Sequence, residues 1–400
     1  MTGVNAPDGP LAGVRVLDLS IAATGPYAAT LLADQGAEVI KVERPGFGDI
    51  GRYVGVAVGG VSALFHSCNR GKRSVAVDPH TDEGRAIVLE LARNTDVFVQ
   101  NFRPGVVERL GVGYDAVRAV NPDIVYASLS GFGPVGPYAH KGAYDTVIQA
   151  YGGFAANQGE PDGEPKFLKQ TAADKVTALY AAQAITAALF ARASGRGGQH
   201  VELAMLDAVV SFLWIDAAGN EVLLDSDGTL NSSFVSTFRP FRFSDGWGIA
   251  TPTADKDFLG MCRAFGIQHD DPRLQTIAMR SQNREFVAEV MDAVYAVATT
   301  LTTEDAIGRL EAETVPCGVV RSPADIVDDE HAVAVAMFED FEHPASGRVR
   351  QPRHPAQFAA TPAHLAGRAP LLGEHTDEVL TELGYDAEGI AKLRANGAVG

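Results

Sequence analysis

The 400-residue chain has little cysteine, no long unbroken apolar run and none of the short motifs that mark common cofactor sites. Its three cysteines, Cys68, Cys262 and Cys317, are odd in number and far apart, which excludes a disulfide framework and a CxxC metal or redox site. The longest apolar stretch, from Ala178 to Ala191, is broken by Tyr180, Gln183 and Thr186, short of the ~18 apolar residues a membrane span needs. The first ten residues contain no basic residue and no apolar signal core, so a soluble, cytoplasmic protein without membrane contact is expected. Positive charge is also scarce. Lys plus Arg number 33 against 50 Asp plus Glu, and the formal charge of −17 argues against a nucleic-acid partner. A GxxxxGK[ST] loop, an HExxH pair, a GxSxG elbow and a Cys/His cluster are all missing, so P-loop, metal and α/β-hydrolase chemistry lack their parts. No period of 20 to 50 residues repeats, which excludes a solenoid.

What is present is an ordinary globular composition, 46% hydrophobic and 21% charged, with length enough for two full-sized cores. Strand-like runs at 14–19, 38–42, 74–77, 96–100 and 124–128 alternate with helix-period segments at 28–37, 82–93 and 114–119. That alternation predicts a parallel α/β sheet. Gly/Pro-rich and polar loops at 131–137 and 157–166 lead to a long Ala-rich helix over 175–193, ended by Gly195 and Gly197, and to a second helix over 203–220. A polar segment at 225–233 suggests a boundary. The predicted layout is a large domain over 1–224, a small domain over 225–325 holding a hairpin at Asp245-Gly246, and a return to the large domain over 326–400. Helices are expected at 255–265, 284–298 and 303–312, and a Pro/His-rich tail holds a short helix at 375–383.

Charge is uneven along the chain. The first 110 residues hold 11 basic against 12 acidic side chains, so the −17 falls almost wholly on the rest. The groups Arg70/Lys72/Arg73 and Arg103/Arg109 are either a solvated surface or cations gathered for a phosphorylated ligand. A βαβ start with Glu43 at the end of its second strand invites a dinucleotide-binding reading. The glycine pattern rejects it: SIAATGP supplies Gly25 alone where three spaced glycines are required.

Asp174 stands immediately before the long apolar helix, where free N–H groups favour an anion. Two readings remain open from position alone: an N-cap, or a nucleophilic carboxylate in the apolar company of Ala172 and Ala173. Tyr144 and Asp145 mark a helix start, with Tyr144 expected to be half-buried.

Six blocks in order carry a resemblance: LAGVRVLDLSIAATGP, GAEVIKVERPGFGD, NRGKRSVAVD, NFRPGVVERLG, GRGGQHVELAMLDAV and PLLGEHTDEVLTELGY. Over about residues 11 to 386 the chain resembles the family III CoA-transferases, the carnitine and formyl-CoA transferase group that also contains the α-methylacyl-CoA racemases. The resemblance implies an α/β protein with a Rossmann-like large domain built from both chain ends, a smaller α+β domain, and an interlocked homodimer. It implies an acyl-CoA and a free carboxylic acid as substrates, coenzyme A entering as substrate, and no permanently bound cofactor.

By that resemblance Asp174 matches the family nucleophile, which forms an aspartyl mixed anhydride and then an aspartyl-CoA thioester. Arg44, Val77, His80, Asn101, Phe102 and Arg109 match CoA-contacting positions. Ala23, Thr24 and Tyr144 match the thioester pocket. Ala23 and Thr24 stand where the formyl enzyme has glutamine then alanine, and His80 stands where it has lysine. The formyl enzyme's glycine-rich lid has no visible counterpart near 229–234. Racemases carry a histidine in a GHD-type motif where this chain has Ala143-Tyr144-Asp145, and a tyrosine of pKa ~10 is a poor base near neutrality. Transferase is therefore preferred to racemase, and a non-catalytic CoA-binding protein is the third reading. Short dicarboxylates, carnitine-like acids and aromatic or bile acids are all candidate acceptors. Arg239 and Arg242 in FRPFRF are either a pair that meets a second carboxylate or a surface pair.

Overall fold

The computed structural model describes residues 9–159, 163–225 and 238–400. Short runs dense in Val, Leu and Phe form its central sheet, which contains β1 (Arg15–Asp18) and β2 (Glu38–Glu43). After a small hairpin of β3 (Ala57–Val58) and β4 (Val61–Ser62) it continues with β5 (Arg73–Ala76), β6 (Val97–Gln100), β7 (Val125–Ser130) and β8 (Gln199–Ala204). The six sheet strands run parallel in the order β5-β2-β1-β6-β7-β8. The helices between them are α1 (Thr24–Ala33), α2 (Ala63–Asn69), α3 (Asp82–Arg93), α4 (Val106–Arg109), α5 (Tyr114–Val120), α6 (Asp145–Tyr151), α7 (Phe154–Asn157), α8 (Ala172–Ala191) and α9 (Met205–Leu213).

Successive strand residues point to opposite faces, so one sheet supports two cores. Val16, Val39 and Val97 pack with Ala28 and Leu32 of α1 and with Ala181 and Ile185 of α8. Leu17, Val42 and Phe98 pack on the other side with Ile87 and Leu91 of α3, Val117 of α5, and Leu380 and Leu393 from the C-terminal segment. The small side chains on the facing surfaces of α1 and α8 let these two helices approach closely, which fixes their N-termini as neighbours.

The chain divides into two compact units, one running up to Ile215 and resuming over Ala336–Gly400, the other Asp216–Val335. The second unit holds an antiparallel sheet of β9 (Phe241–Arg242), β10 (Trp247–Ala250) and β11 (Cys317–Val319). Its helices Asp255–Ala264, Arg284–Ala298 and Thr303–Ala312 close over a core of Phe241, Phe243, Met261 and Leu310. The first unit is completed by the hairpin of β12 (Phe338–His343) and β13 (Gly347–Pro352) and by helices Thr376–Glu382 and Ala387–Ala395.

Several expectations are corrected. The helix expected over 28–37 begins four residues earlier, because Pro26 sits in the first turn, where its missing N–H is not needed. The helix expected over 203–220 starts only at Met205, and β8, with its alternating polar and apolar residues, adds an edge strand instead. The β12–β13 hairpin was hidden because Asp340, Arg348 and Arg350 pair across it by charge rather than by apolar alternation. The stretch Ala172–Arg196 is long and apolar enough to cross a membrane by length and composition, with a mean hydropathy of 1.3. Here Ala178, Ala181, Ile185 and Ala188 are buried in the core instead. The stretch 229–234, where the sequence shows no counterpart of the formyl enzyme's glycine-rich lid, lies outside the described residues.

Candidate active site

The strand order changes direction between β1 and β6, and at such a switch point the loops leaving the C-terminal strand ends part to form a crevice. A cleft of about 470 Å³ opens there, walled by the turns after β1, β6 and β7 and by the N-terminal ends of α8 and α9.

The floor is set by buried charges that neutralise one another. Lys72 Nζ lies 2.7 Å from Asp18 Oδ2 and Lys41 Nζ 2.8 Å from Asp49 Oδ2, all four side chains being closed off from water. Burial pushes the Lys72 ammonium down to about 8, against the pull of Asp18, while Asp49 and Asp18 outweigh burial at Lys41 and raise it. These ions hold the β1–α1 turn. Lys41 donates to Ser20 O at 2.8 Å, and Asp49 Oδ1 accepts from Ala22 N and Gly51 N, both at 2.7 Å. Ala22 takes the left-handed conformation, φ 66°, a strained choice for a residue with a Cβ. A Cβ on Gly25 would come within 2.3 Å of Ser20 Cβ, so the single glycine of the turn serves close packing rather than a pyrophosphate. Glu43, where a nucleotide ribose would be read, is consumed by Arg52 at 2.7 Å.

That turn delivers Thr24 to the first turn of α1, and its hydroxyl donates to Asp174 Oδ1. Asp174 is the third residue of α8 and does not cap its own helix. Asp145 Oδ2, reaching over from α6, accepts from Asp174 N at 3.1 Å. Asp145 is in turn held by Gln149 Nε2 at 2.5 Å, and Gln149 also clamps Leu168 N at 2.9 Å. Burial pushes the Asp174 carboxyl up to about 6; the Thr24 hydroxyl opposes the rise and the Asp145 charge adds to it. A carboxylate so poorly hydrated is a better nucleophile than one in water.

The cleft brings together Ala23, Thr24, Asn101, Phe102, Arg109, Tyr144 and Asp174 from the expected set. Asn101 faces it but spends its amide on Ile21, accepting from the N–H and donating to the carbonyl, both at 2.8 Å. Tyr144 is 74% exposed rather than half-buried, because it is the residue before α6 begins and no element among the described residues covers its ring. Arg44, Val77 and His80 lie outside the cleft, at the C-terminal ends of β2 and β5. Arg44 is exposed, His80 is tied to Asp78 at 2.7 Å, and the Val77 side chain is buried in the core, leaving only its backbone to a ligand.

Of the two cation groups, the first is internal. Arg70 pairs with Asp34, Lys72 with Asp18, and Arg73 with Glu38 and Glu382. The second, Arg103 and Arg109, lines the cleft together with Lys141, which nothing in the sequence pattern singles out. Lys141 Nζ sits 3.8 Å from the Tyr138 ring centre and donates to Tyr151 Oη at 3.0 Å. Arg239 and Arg242 belong to the second unit, where they stack on Tyr295 and Trp247. Among the described residues no three His, Cys, Asp or Glu side chains gather as a metal site would need.

A partly dehydrated carboxylate at a sheet switch point, facing three cations across a cleft, defines an α/β enzyme whose substrate is an anion. The chain belongs to CoA-transferase family III, whose family model matches residues 11–376. It is 33% identical to a succinyl-CoA:glutarate CoA-transferase of Mus musculus over 398 residues, 98% of this chain and 90% of that one. It is 32% identical to a formyl-CoA:oxalate CoA-transferase of Bradyrhizobium sp. (strain ORS 278), with 97% of each chain covered. The crystal structure of a CAIB/BAIF family protein from Brucella suis superposes with a TM-score of 0.81 at 33% identity, covering 94% of this chain and 99% of that one.

Proposed function

We propose that the protein moves CoA from an acyl-CoA to a free carboxylic acid and that Asp174 is the nucleophile. The observation that carries this reading is the Asp174 carboxylate itself: shielded from water, oriented by Thr24, and open to a cleft lined by Arg103, Arg109 and Lys141. One Asp174 oxygen attacks the thioester carbon, the C–S bond breaks, and the products are an aspartyl mixed anhydride and CoA thiolate. The thiolate attacks the aspartyl carbonyl, releasing the donor acid and leaving an aspartyl-CoA thioester. The acceptor carboxylate repeats the sequence in reverse and leaves as the new acyl-CoA. Each intermediate keeps the Asp174 carboxyl activated, as anhydride and then as thioester, as long as water stays out.

Arg103, Arg109 and Lys141 supply charge for the CoA phosphates, with Arg44 and His80 further out along the strand ends. Tyr144 and Ala23 border the thioester, and Asn101 and Phe102 shape the wall of the cleft. Racemisation is disfavoured because Tyr144 occupies the position of a second proton-transfer base. The same reading takes the protein to be a cytoplasmic homodimer. Leu179 and Phe190 on α8, with Phe212 and Ile215 beyond it, are exposed and apolar, as a covered face would be, and light scattering gives the mass.

The direct test of the transfer reading is to mix the protein with a panel of acyl-CoAs, add hydroxylamine, and map modified peptides by mass spectrometry. A hydroxamate at Asp174 is the expected product, since hydroxylamine captures activated carboxyls. An unmodified Asp174 with every donor, together with solvent deuterium at the α-carbon of the recovered acyl-CoA, would overturn the reading.

A further inference from the structure

Three neighbouring strands carry a line of polar side chains that runs from the edge of the sheet to the cleft. Gln100, the last residue of β6, stands beside Ser128 of β7 in the sheet register, and His200 on the edge strand β8 stands beside Tyr126, two residues before Ser128. These side chains therefore share one face of the sheet. Gln100 Nε2 donates to Ser128 Oγ at 2.9 Å, and Ser128 Oγ lies 2.8 Å from His200 Nε2. At its other end Gln100 Oε1 accepts from Phe102 N at 2.9 Å, in the turn after β6 that walls the cleft. Gln100 is only 4% exposed, so water does not replace these partners.

The chain has a direction. A backbone N–H can only donate, so the Gln100 atom at Phe102 is the oxygen and the one at Ser128 is the nitrogen. Ser128 accepts from that nitrogen and has one proton of its own, for which His200 Nε2 is the acceptor among the described residues. Nε2 is then bare and the ring proton sits on Nδ1, as in a neutral imidazole. The surroundings favour that form. Burial holds the His200 imidazole below the usual histidine range, against the pull of Glu202 on β8, Glu108 on α4 and Asp115 on α5. Tyr114 of α5, itself met by Arg118 at 5.9 Å, stacks on the imidazole with ring centres 4.5 Å apart, and Tyr126 of β7 meets it edge-on at 5.4 Å.

We propose that His200, Ser128 and Gln100 are positioning residues for CoA: a relay across β8, β7 and β6 that holds the Phe102 turn while the imidazole is neutral and loosens it when the imidazole is protonated. The inference deepens the transfer reading above, since it takes the turn of Asn101 and Phe102 as a wall for bound CoA. Protonation puts a hydrogen on Nε2, which then donates to Ser128, and the Ser128 proton loses its acceptor. The hydroxyl turns toward Gln100, whose amide turns over to offer its oxygen, and Gln100 Nε2 is left facing the Phe102 N–H, donor against donor. The turn loses one of the bonds that fix it, a change worth about threefold to tenfold in the affinity of a ligand it contacts. The edge strand, remote from the reacting atoms, thereby acts on the cleft wall through two side chains.

The test compares the wild type with His200→Phe, His200→Gln and Ser128→Ala. Phenylalanine keeps a ring on Tyr114 but accepts nothing, glutamine returns an acceptor near the Nε2 position, and Ser128→Ala cuts the chain with little change in volume. Two quantities are read between pH 7.5 and pH 5: hydrogen exchange of the Phe102 amide in the ligand-free protein, resolved by fragmentation mass spectrometry, and the binding of coenzyme A by calorimetry. At pH 7.5 His200→Phe and Ser128→Ala should speed Phe102 exchange and weaken CoA binding, each by about threefold to tenfold, and His200→Gln should match the wild type within about twofold. As pH falls to 5 the wild type should lose its advantage over His200→Phe, while His200→Gln keeps it. Comparing variants at one pH cancels the titration of CoA and of Asp174, which all of them share. Phe102 exchange that is unchanged in His200→Phe, or is not brought back by His200→Gln, would overturn the relay, and a wild-type advantage undiminished at pH 5 would overturn its dependence on the neutral ring. If the wild type binds no CoA but its Phe102 exchange follows His200 as described, the transfer reading fails and the relay stands.

Discussion

The Thr24 hydroxyl, in the first turn of α1, donates to the Asp174 carboxylate, in the first turn of α8, across 150 positions of sequence. The contact ties the reactivity of one helix terminus to the position of another. Removing the hydroxyl with Thr24→Val takes away what opposes burial, so the Asp174 carboxyl should rise further above about 6. The acidic limb of the kcat/KM profile should then move up by about half to one pH unit, and Thr24→Ser should bring it back. A profile superposable on wild type would show that the hydroxyl does not act on Asp174.

Asp145 acts in the opposite direction, because its charge raises the Asp174 carboxyl. Asp145→Asn keeps an oxygen in place for Asp174 N and removes the charge. The acidic limb should move down by roughly half a unit, with a fall in kcat traceable to the looser α8 terminus. Gln149→Leu, which frees Asp145 without changing its charge, should lower kcat without moving the limb.

Asp174→Asn should abolish transfer, by about 10³-fold or more in kcat, while making the protein more stable at neutral pH. The sign follows from burial. A carboxyl raised from 3.8 to about 6 holds its proton more tightly when folded, so the stability that its protonated form contributes is complete below 3.8 and lost as pH rises through about 6. The amide does not ionise and keeps that contribution. Urea unfolding at pH 7.5 should show a gain of about 1–2 kcal/mol that disappears near pH 4.

Arg109→Ala and Arg103→Ala should each raise KM for the acyl-CoA by about tenfold at low salt and leave kcat within about threefold. The penalty should shrink as ionic strength rises, since these are exposed charges. A loss confined to kcat would instead assign them to the chemical step.

The sheet was legible in the chain because buried parallel strands are dense apolar runs, and helix 82–93 because of its 3.6-residue period, to which the structure adds the Thr81 cap. The site was legible only in part. Asp174, Thr24 and Arg109 followed from resemblance, while the Asp145-Gln149 support did not, since a helix-start aspartate reads the same whether it holds its own helix or another. Lys141 was silent because an isolated lysine in a loop carries no period. The Arg70/Lys72/Arg73 cluster misled for the converse reason: charge in sequence does not reveal that each member is already paired by a carboxylate brought in from elsewhere in the fold.

The first unit begins before Ile215 and is finished only by the segment after Ala336: β13 brings Gln351 to Arg70, the backbone around Gly373 and His375 docks on Ser74, and Val399 bridges to Val77. A ribosome making this chain therefore releases the β5 edge and the apolar face of α3 long before their covers exist, and the second unit can finish folding first. Between those two moments the nascent enzyme is a half-clothed sheet. Its dependence on chaperones, and its yield when expressed fast, should be governed by how long that interval lasts rather than by the stability of the finished fold.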